Sequence, residues 1–306
     1  MRRLIMIAGA ALSLSAGVPP RERVVTGNGT VPARVNDVPL RLRIDPGALG
    51  MIFVGPEVAA RAKLKGGLLG VRLRYAVGFQ RVEGMTGAAS IALDDGRTKR
   101  RRVGWTPLPY AAGVDAVIGP AGLDEPVVRF DLRNVRPGER TVAMPMAPNG
   151  GLFANWDGLY AMLSLGGVPV RVRFAPYQQV STVTAITAQR LAKEYGGGLQ
   201  GASGPVVIAF GFDRPVRQMV LARPWIVGPL SLPAVGVRVA EPGMAVALPE
   251  ADAPAAEPDP DEVVVTAQSG KKPRAGLLVL GADQLERCSS IVFDKPAKVV
   301  RLTCLL

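Results

Sequence analysis

Histidine is absent from this sequence of 306 residues. Its absence excludes Ser-His-Asp and Cys-His catalysis of the common kinds, and histidine-ligated zinc or haem. There is no CxxC pair, no Walker loop and no well-placed GxGxxG, so neither a metal nor a cofactor is expected. Asp94-Asp95-Gly96 is like a fragment of a calcium loop but lacks the remaining ligand spacing, and reads as a hairpin turn. Long hydrophobic runs are missing beyond the N-terminus, and none approaches the roughly 20 apolar residues of a membrane span. Aromatics make up only 5%.

The N-terminus, MRRLIMIAGAALSLSAG, does carry an apolar run, from Leu4 to about Leu14, after two arginines and before small residues. It reads as a secretory signal over 1–18; a buried first strand or a membrane anchor is the competing reading. No cysteine stands near the cleavage region, so a lipoprotein is not expected. The remainder is not transmembrane, and a periplasmic or secreted setting follows, with a bacterial envelope favoured. Cys288 and Cys304 flank CSSIVFDKPAKVVRLTC. If KPAK is the turn, the two strands bring the sulfurs nearly opposite, predicting a disulfide; the other reading is two buried thiols.

Basic residues exceed acidic ones, giving a net charge of +12. The arginines mostly alternate with aliphatics, as in RLRI, VRLRY and VRVRF, the pattern of a half-buried strand's solvent face. The one cluster, RTKRRR at 97–102, lacks interleaved aromatics and reads as a solvated β-turn. No nucleic-acid partner is expected. With 36 Gly and 27 Pro among short Val/Leu/Arg alternations, the chain reads as all-β.

Shifted by 130 positions, the sequence matches itself without gaps: 35–67 lies over 165–197. Val38, Pro39, Arg41, Arg43 and Pro46 recur as Val168, Pro169, Arg171, Arg173 and Pro176. Each copy opens with a strand pair around a Gly/Asn turn. A short helix follows, Pro56 to Leu64 and Thr187 to Tyr195, and later an apolar-apolar-glycine step, AVIG or LVLG. Two equivalent lobes are expected, 27–147 and 157–306. The second carries an acidic, Pro-rich insertion at 249–274, expected to be a mobile surface loop.

RIDPGA with AVIG, and RFAPYQ with LVLG, resemble the aspartic peptidase superfamily: a retropepsin-like lobe duplicated in one chain, in the pepsin-like arrangement. The resemblance covers nearly the whole chain after the leader. It implies two tandem acid-protease-like β-barrel lobes with short helices and a cleft between them. The family's chemistry needs two carboxylates sharing a proton across the lobes. The first lobe offers Asp45 and the second Ala175, and Pro46 and Pro176 replace the bracing hydroxyl residue in both. The expected protein is therefore a catalytically impaired relative that binds a peptide or other ligand in its cleft. An active endopeptidase using Asp45 is the alternative.

Within that reading Asp45 is the candidate catalytic residue, against a turn carboxylate accepting backbone N–H groups. Gly47, Gly84, Gly87 and Tyr177 are the candidate ligand-binding residues. Gly84 and Gly87 fall in AVGFQRVEGMTGAAS, where the family has its flap, and are placed near a flexible tip; an ordinary hairpin is the competing reading. Asp115, before Val117-Ile118-Gly119, reads as a turn or hydrogen-bonding residue. DEVVVTAQSGKK at 261–272 looks like the energy-coupling box of TonB-dependent receptors. Glu262 to Gln268 would then pair with an envelope protein by strand addition, unless VVVTA is a strand of the second lobe.

Overall fold

A computed structural model describes residues 21–66, 72–77, 80–147, 158–239, 248–251 and 276–305. The leader at 1–18, most of the insertion at 249–274 and the segment Glu262 to Gln268 lie outside them. The first half of the chain contributes β1 (Glu22–Val25), β2 (Thr30–Val35), β3 (Val38–Ile44), β4 (Ile52–Val54), β5 (Leu73–Val77), β6 (Gln80–Ala92), β7 (Thr98–Trp105), β8 (Ala116–Ile118), β9 (Val127–Asp131) and β10 (Arg140–Pro145). The second contributes β11 (Ala161–Leu165), β12 (Val168–Phe174), β13 (Thr182–Val183), β14 (Gly198–Ala209), β15 (Phe212–Val227), β16 (Leu230–Arg238), β17 (Gly276–Leu280), β18 (Cys288–Asp294) and β19 (Val299–Cys304). Among the described residues three α-helices, α1 (Pro56–Arg61), α2 (Ala185–Tyr195) and α3 (Ala282–Leu285), and a 3-10 turn at Pro120–Gly122 join them. The protein is all-β, as the composition predicts.

The strands form two seven-stranded sheets and one of five strands. The first runs β2-β3-β8-β4-β7-β6-β5, and a further pairing of β2 with β6 closes it into a barrel. The second runs β11-β12-β17-β13-β16-β15-β14. Position by position the two orders correspond: a hairpin partner, the strand that ends at Ile44 or Phe174, then the strand of the apolar-apolar-glycine step.

Local sequence explains these elements. In β3, VPLRLRI, the buried residues are Leu40, Leu42 and Ile44; in β12, VPVRVRF, they are Val170, Val172 and Phe174. Alternate side chains face opposite sides of a strand, so the aliphatics enter the core. The turn before β3 is Asn36-Asp37, and the turn before β12 is Gly166-Gly167, all four with positive φ. A two-residue hairpin turn of this hand needs that backbone, which Asn, Asp and Gly adopt most readily. Helix α1 starts at Pro56, whose missing N–H costs nothing there. Helix α2 buries Ala185, Ala188 and Leu191 along one face and stops at Gly196 with φ +71°.

The five-stranded sheet, β1-β9-β18-β19-β10, draws on both halves. β10 leaves the first half to pair with β19, from Arg140 opposite Cys304 to Pro145 opposite Val299. Phe293 in β18 meets Phe130 edge-on at 5.9 Å and Phe174 at 6.0 Å, tying this sheet to the strand that leads into the second turn. The hairpin of β18 and β19 carries the predicted disulfide, Cys288–Cys304, with both residues fully buried.

The reading of 97–102 as a solvated turn is corrected: Thr98–Trp105 is a strand, β7, paired along β6. The turn lies earlier, at Asp94-Asp95-Gly96, where Gly96 has φ +70° and Asp95 accepts the Arg97 N–H at 3.1 Å. Lys99 and Arg101, two apart and so on one face, both reach Asp124, at 2.5 and 2.7 Å. Their strand pattern is hidden because Arg100 and Arg102, on the opposite face, are also basic.

Candidate functional site

β3 ends at Ile44 and delivers Asp45 into the turn Asp45-Pro46-Gly47-Ala48. The Asp45 N–H donates to the Ile118 carbonyl at 2.9 Å, and Ala48 N–H closes the turn onto Asp45 O at 3.1 Å. In the second half Ala175 N–H donates to Leu280 O at 2.8 Å, and Gln178 N–H closes onto Ala175 O at 2.9 Å. Each glycine of the apolar-apolar-glycine step passes tightly beneath its turn. A Cβ on Gly119 would stand 2.0 Å from Ala48 O, and one on Gly281 would stand 2.7 Å from Gln178 O. Only a residue without a side chain tolerates such an approach.

The Asp45 carboxylate is buried and accepts the Gly47 N–H at 2.8 Å. Burial pushes its pKa above the ordinary value; the Arg173 guanidinium, the Gly47 hydrogen bond and Arg43 oppose this in that order. A charged carboxylate is costly away from water, so the neutral acid gains. Asp115 sits away from this point and receives the Arg41 N–H at 2.7 Å, while its carbonyl receives Gly55 N–H at 2.8 Å. It braces β3 against the start of α1.

Asp45 and Ala175 line one cavity of about 390 Å³. Arg43 and Arg173, each two residues before its turn, flank them, and Asp45 is the one acidic residue in its lining among the described residues. The two arginines are held differently. Arg43 lies over the Tyr177 ring at 4.4 Å, and the Tyr177 hydroxyl donates to Asn28 O at 2.7 Å. Burial, then the charge of Asp45, pushes the Tyr177 hydroxyl up to about 12, so it stays protonated and able to donate. Arg173 donates to the Tyr110 hydroxyl at 3.1 Å, and its stem crosses Gly47. A Cβ on Gly47 would stand 2.4 Å from Phe174 O and 2.8 Å from Arg173 Nε. Gly47 thus seats Arg173, and Tyr177, its counterpart 130 residues on, seats Arg43.

The tip of the β14–β15 hairpin covers this cavity. Phe210, with φ +56°, and Gly211 form the turn, and Phe210 N–H donates to Tyr110 O at 3.1 Å. The Phe210 ring is 5.1 Å from both Tyr75 and Tyr110, which themselves meet Phe53 at 5.4 and 5.8 Å. Tyr110 and Phe210, one from each half, thus line the cavity, and Tyr75 and Phe53 pack behind them.

Gly84 and Gly87 belong to the hairpin of β5 and β6, the competing reading of this segment. Both lie within β6, Gly84 opposite Leu73 and Gly87 opposite Val103. A Cβ on Gly84 would meet Trp105 O at 2.5 Å; one on Gly87 would meet Lys65 O at 2.4 Å. They are glycines because the neighbouring chain lies against them. Gly84 lines a different cavity, of about 620 Å³, beside Pro56, Ala59 and Trp105. Sequence reasoning missed Arg43, Arg173, Tyr110 and Phe210. The recurrence of the arginine two residues before both turns was a usable signal.

Among the described residues no three His, Cys, Asp or Glu side chains gather as metal ligands, and no helix is long and apolar enough to cross a membrane.

No family model matches the chain, and no curated protein matches it. Among solved structures it is similar to the protease of EIAV in complex with the inhibitor HBY-793, at 21% identity and TM-score 0.23, over 30% of this chain and 82% of that one. It is also similar to the retroviral protease-like domain of Ddi1 from Leishmania major, at 22% identity and TM-score 0.22, over 29% of this chain and 70% of that one.

Proposed function

We propose that this chain is a duplicated, two-lobed relative of the aspartic peptidases, with lobes at 27–147 and 157–306, whose cleft binds a peptide or other small ligand without cutting it. The reading rests on one observation: one cavity is lined by Asp45 and by Ala175, the position where a second carboxylate would be required, together with two arginines. Water activation by the family's route needs two carboxylates that share a proton, one as base and one as acid. Loss of such a role removes on the order of 10² to 10⁴ in rate for each proton transfer. The matching strand orders and the matching turn hydrogen bonds support the duplication. The Cys288–Cys304 disulfide supports an oxidising compartment, secreted or periplasmic.

Incubation with a mixed peptide library from pH 3 to 7 tests this. No cleavage is expected at any pH. Cleavage that disappears in Asp45→Asn defeats the reading and establishes an active peptidase.

A further inference from the structure

The cleft contains more positive charge than its own residues neutralise. Arg43 and Arg173 both line it, against Asp45 alone. Burial raises the Asp45 pKa, so its negative charge is the costlier of its two states there. Both arginines are half-buried, and a positive charge partly withdrawn from water without a full counter-charge is costly. The guanidiniums also have hydrogen-bonding capacity to spare. Nε of Arg43 and Nε of Arg173 are buried and have no partner among the described residues. Arg173 commits Nη2 to the Tyr110 hydroxyl, and Arg43 makes a long contact of 3.4 Å from Nη2 to Ala112 O.

We propose that the cleft takes a carboxylate with an apolar body, its head group standing across from Asp45 where Ala175 leaves room, and held by Arg43 and Arg173. The inference rests on the reading of the cleft as a ligand site and names the ligand's chemistry. A guanidinium presents its N–H groups as a planar fork that matches the two oxygens of a carboxylate. A neutral Asp45 supplies a further O–H donor, and the two carboxyl groups then share one proton, which two adjacent carboxylates require. The ligand thereby provides the carboxyl group that the second turn lacks. Apart from Gln178, whose amide N–H groups go to Val180 O and the Thr182 hydroxyl, and the two tyrosines, the other walls are apolar, among them Ala111, Val207, Ile208 and Phe210. They offer a hydrocarbon body a place out of water, and little to the additional oxygens of a phosphate. At about 390 Å³ the cavity suits a small organic acid or the last residue of a peptide.

Calorimetric titration of the full chain with 3-phenylpropionate, its amide, N-acetyl-Leu-Phe as free acid, the same dipeptide as its amide, and inorganic phosphate separates the cases. At least one acid should bind, and its amide should bind at least tenfold more weakly. Binding by the dipeptide acid alone identifies a peptide terminus as the source; binding by 3-phenylpropionate alone identifies a small acid. Arg43→Gln and Arg173→Gln should each weaken the acid at least tenfold while leaving the amide unchanged. Asp45 is the one carboxyl among the charged and titratable groups of the described lining, beside Arg43, Arg173, Tyr110 and Tyr177. Acid affinity should therefore fall as pH rises through the Asp45 ionisation, and Asp45→Asn should flatten that profile.

Equal affinity for acid and amide refutes the carboxylate site while leaving the ligand-binding cleft standing. Phosphate binding more tightly than either acid, or no acid binding to the wild-type chain, also overturns the proposal. Library cleavage overturns the non-cutting reading independently. If an arginine variant does not fold, the acid-against-amide comparison on the wild-type chain still decides.

Discussion

Phe210→Ala should release the hairpin tip from the cleft while leaving the rest of the protein folded. The Phe210 ring is 4% exposed and makes two ring contacts, with Tyr75 and Tyr110, each at 5.1 Å. An aromatic pair contributes about 0.5–1.5 kcal/mol beyond area burial, so the two pairs together contribute about 1–3 kcal/mol. The tip is otherwise anchored by the Phe210 N–H to Tyr110 O hydrogen bond at 3.1 Å, a group that water satisfies once the ring is gone. The small cluster around Phe210 and Val82 is separate from the main core, so its loss appears as local opening. Loss of the ring's own burial adds about 1.5–3 kcal/mol, and a tenfold change accompanies each 1.4 kcal/mol, so the open tip should become roughly 60- to 20,000-fold more populated. Hydrogen exchange of the amides at 206–212, followed by mass spectrometry, reads this directly, with urea unfolding as the global control. Unchanged exchange at the tip would refute the roof. A global loss of stability as large as the local one would show that the hairpin folds only with the main core.

Three further outcomes follow from the same geometry. Asp45 has its pKa raised by burial, so the folded chain holds this proton more tightly than the unfolded one; that contribution is full below the ordinary carboxylate range and is lost as pH rises through the raised value. Wild-type stability relative to Asp45→Asn should therefore decline across that window in urea titrations, and a pH-independent difference would contradict the assigned burial. Replacing both Cys288 and Cys304 with Ser, a crosslink spanning 16 residues, should cost about 3 kcal/mol by chain entropy, read as a shifted urea midpoint; a shift under about 1 kcal/mol would mean the hairpin already persists in the unfolded chain. Gly47→Ala should cost about 1–3 kcal/mol, because its Cβ meets the Phe174 carbonyl and the Arg173 stem, and a neutral result in thermal unfolding would show that the turn yields freely.

Much of the fold was legible because its determinants are local. Alternation in VPLRLRI and VPVRVRF sets which residues are buried, Asn36-Asp37 and Gly166-Gly167 provide the hairpin turns, and KPAK places Cys288 opposite Cys304. The self-match at 130 positions paired Asp45 with Ala175 before any coordinate did. What stayed hidden depends on what the second half lays over the first. Arg41 and Arg43 share one strand face and look alike in sequence. Arg41 remains exposed, whereas Arg43, one strand step nearer the turn, is covered by Tyr177 and lines the cavity. A period of two states which side of a strand a residue faces, and nothing about what packs there. Gly84 and Gly87 were ambiguous for the same reason: a glycine is compatible with flexibility and with close approach, and only the tertiary contact with Trp105 and Lys65 shows the close approach. Phe210 lies more than 160 positions from Asp45 along the chain, and the aromatic roof exists only once both halves are folded and joined. The residues of RIDPGALG thus establish, by themselves, a turn with one carboxylate. That the carboxylate is buried and shares one cavity with an alanine and two arginines was decided by the packing of the two halves, because burial and charge pairing are properties of neighbours in space.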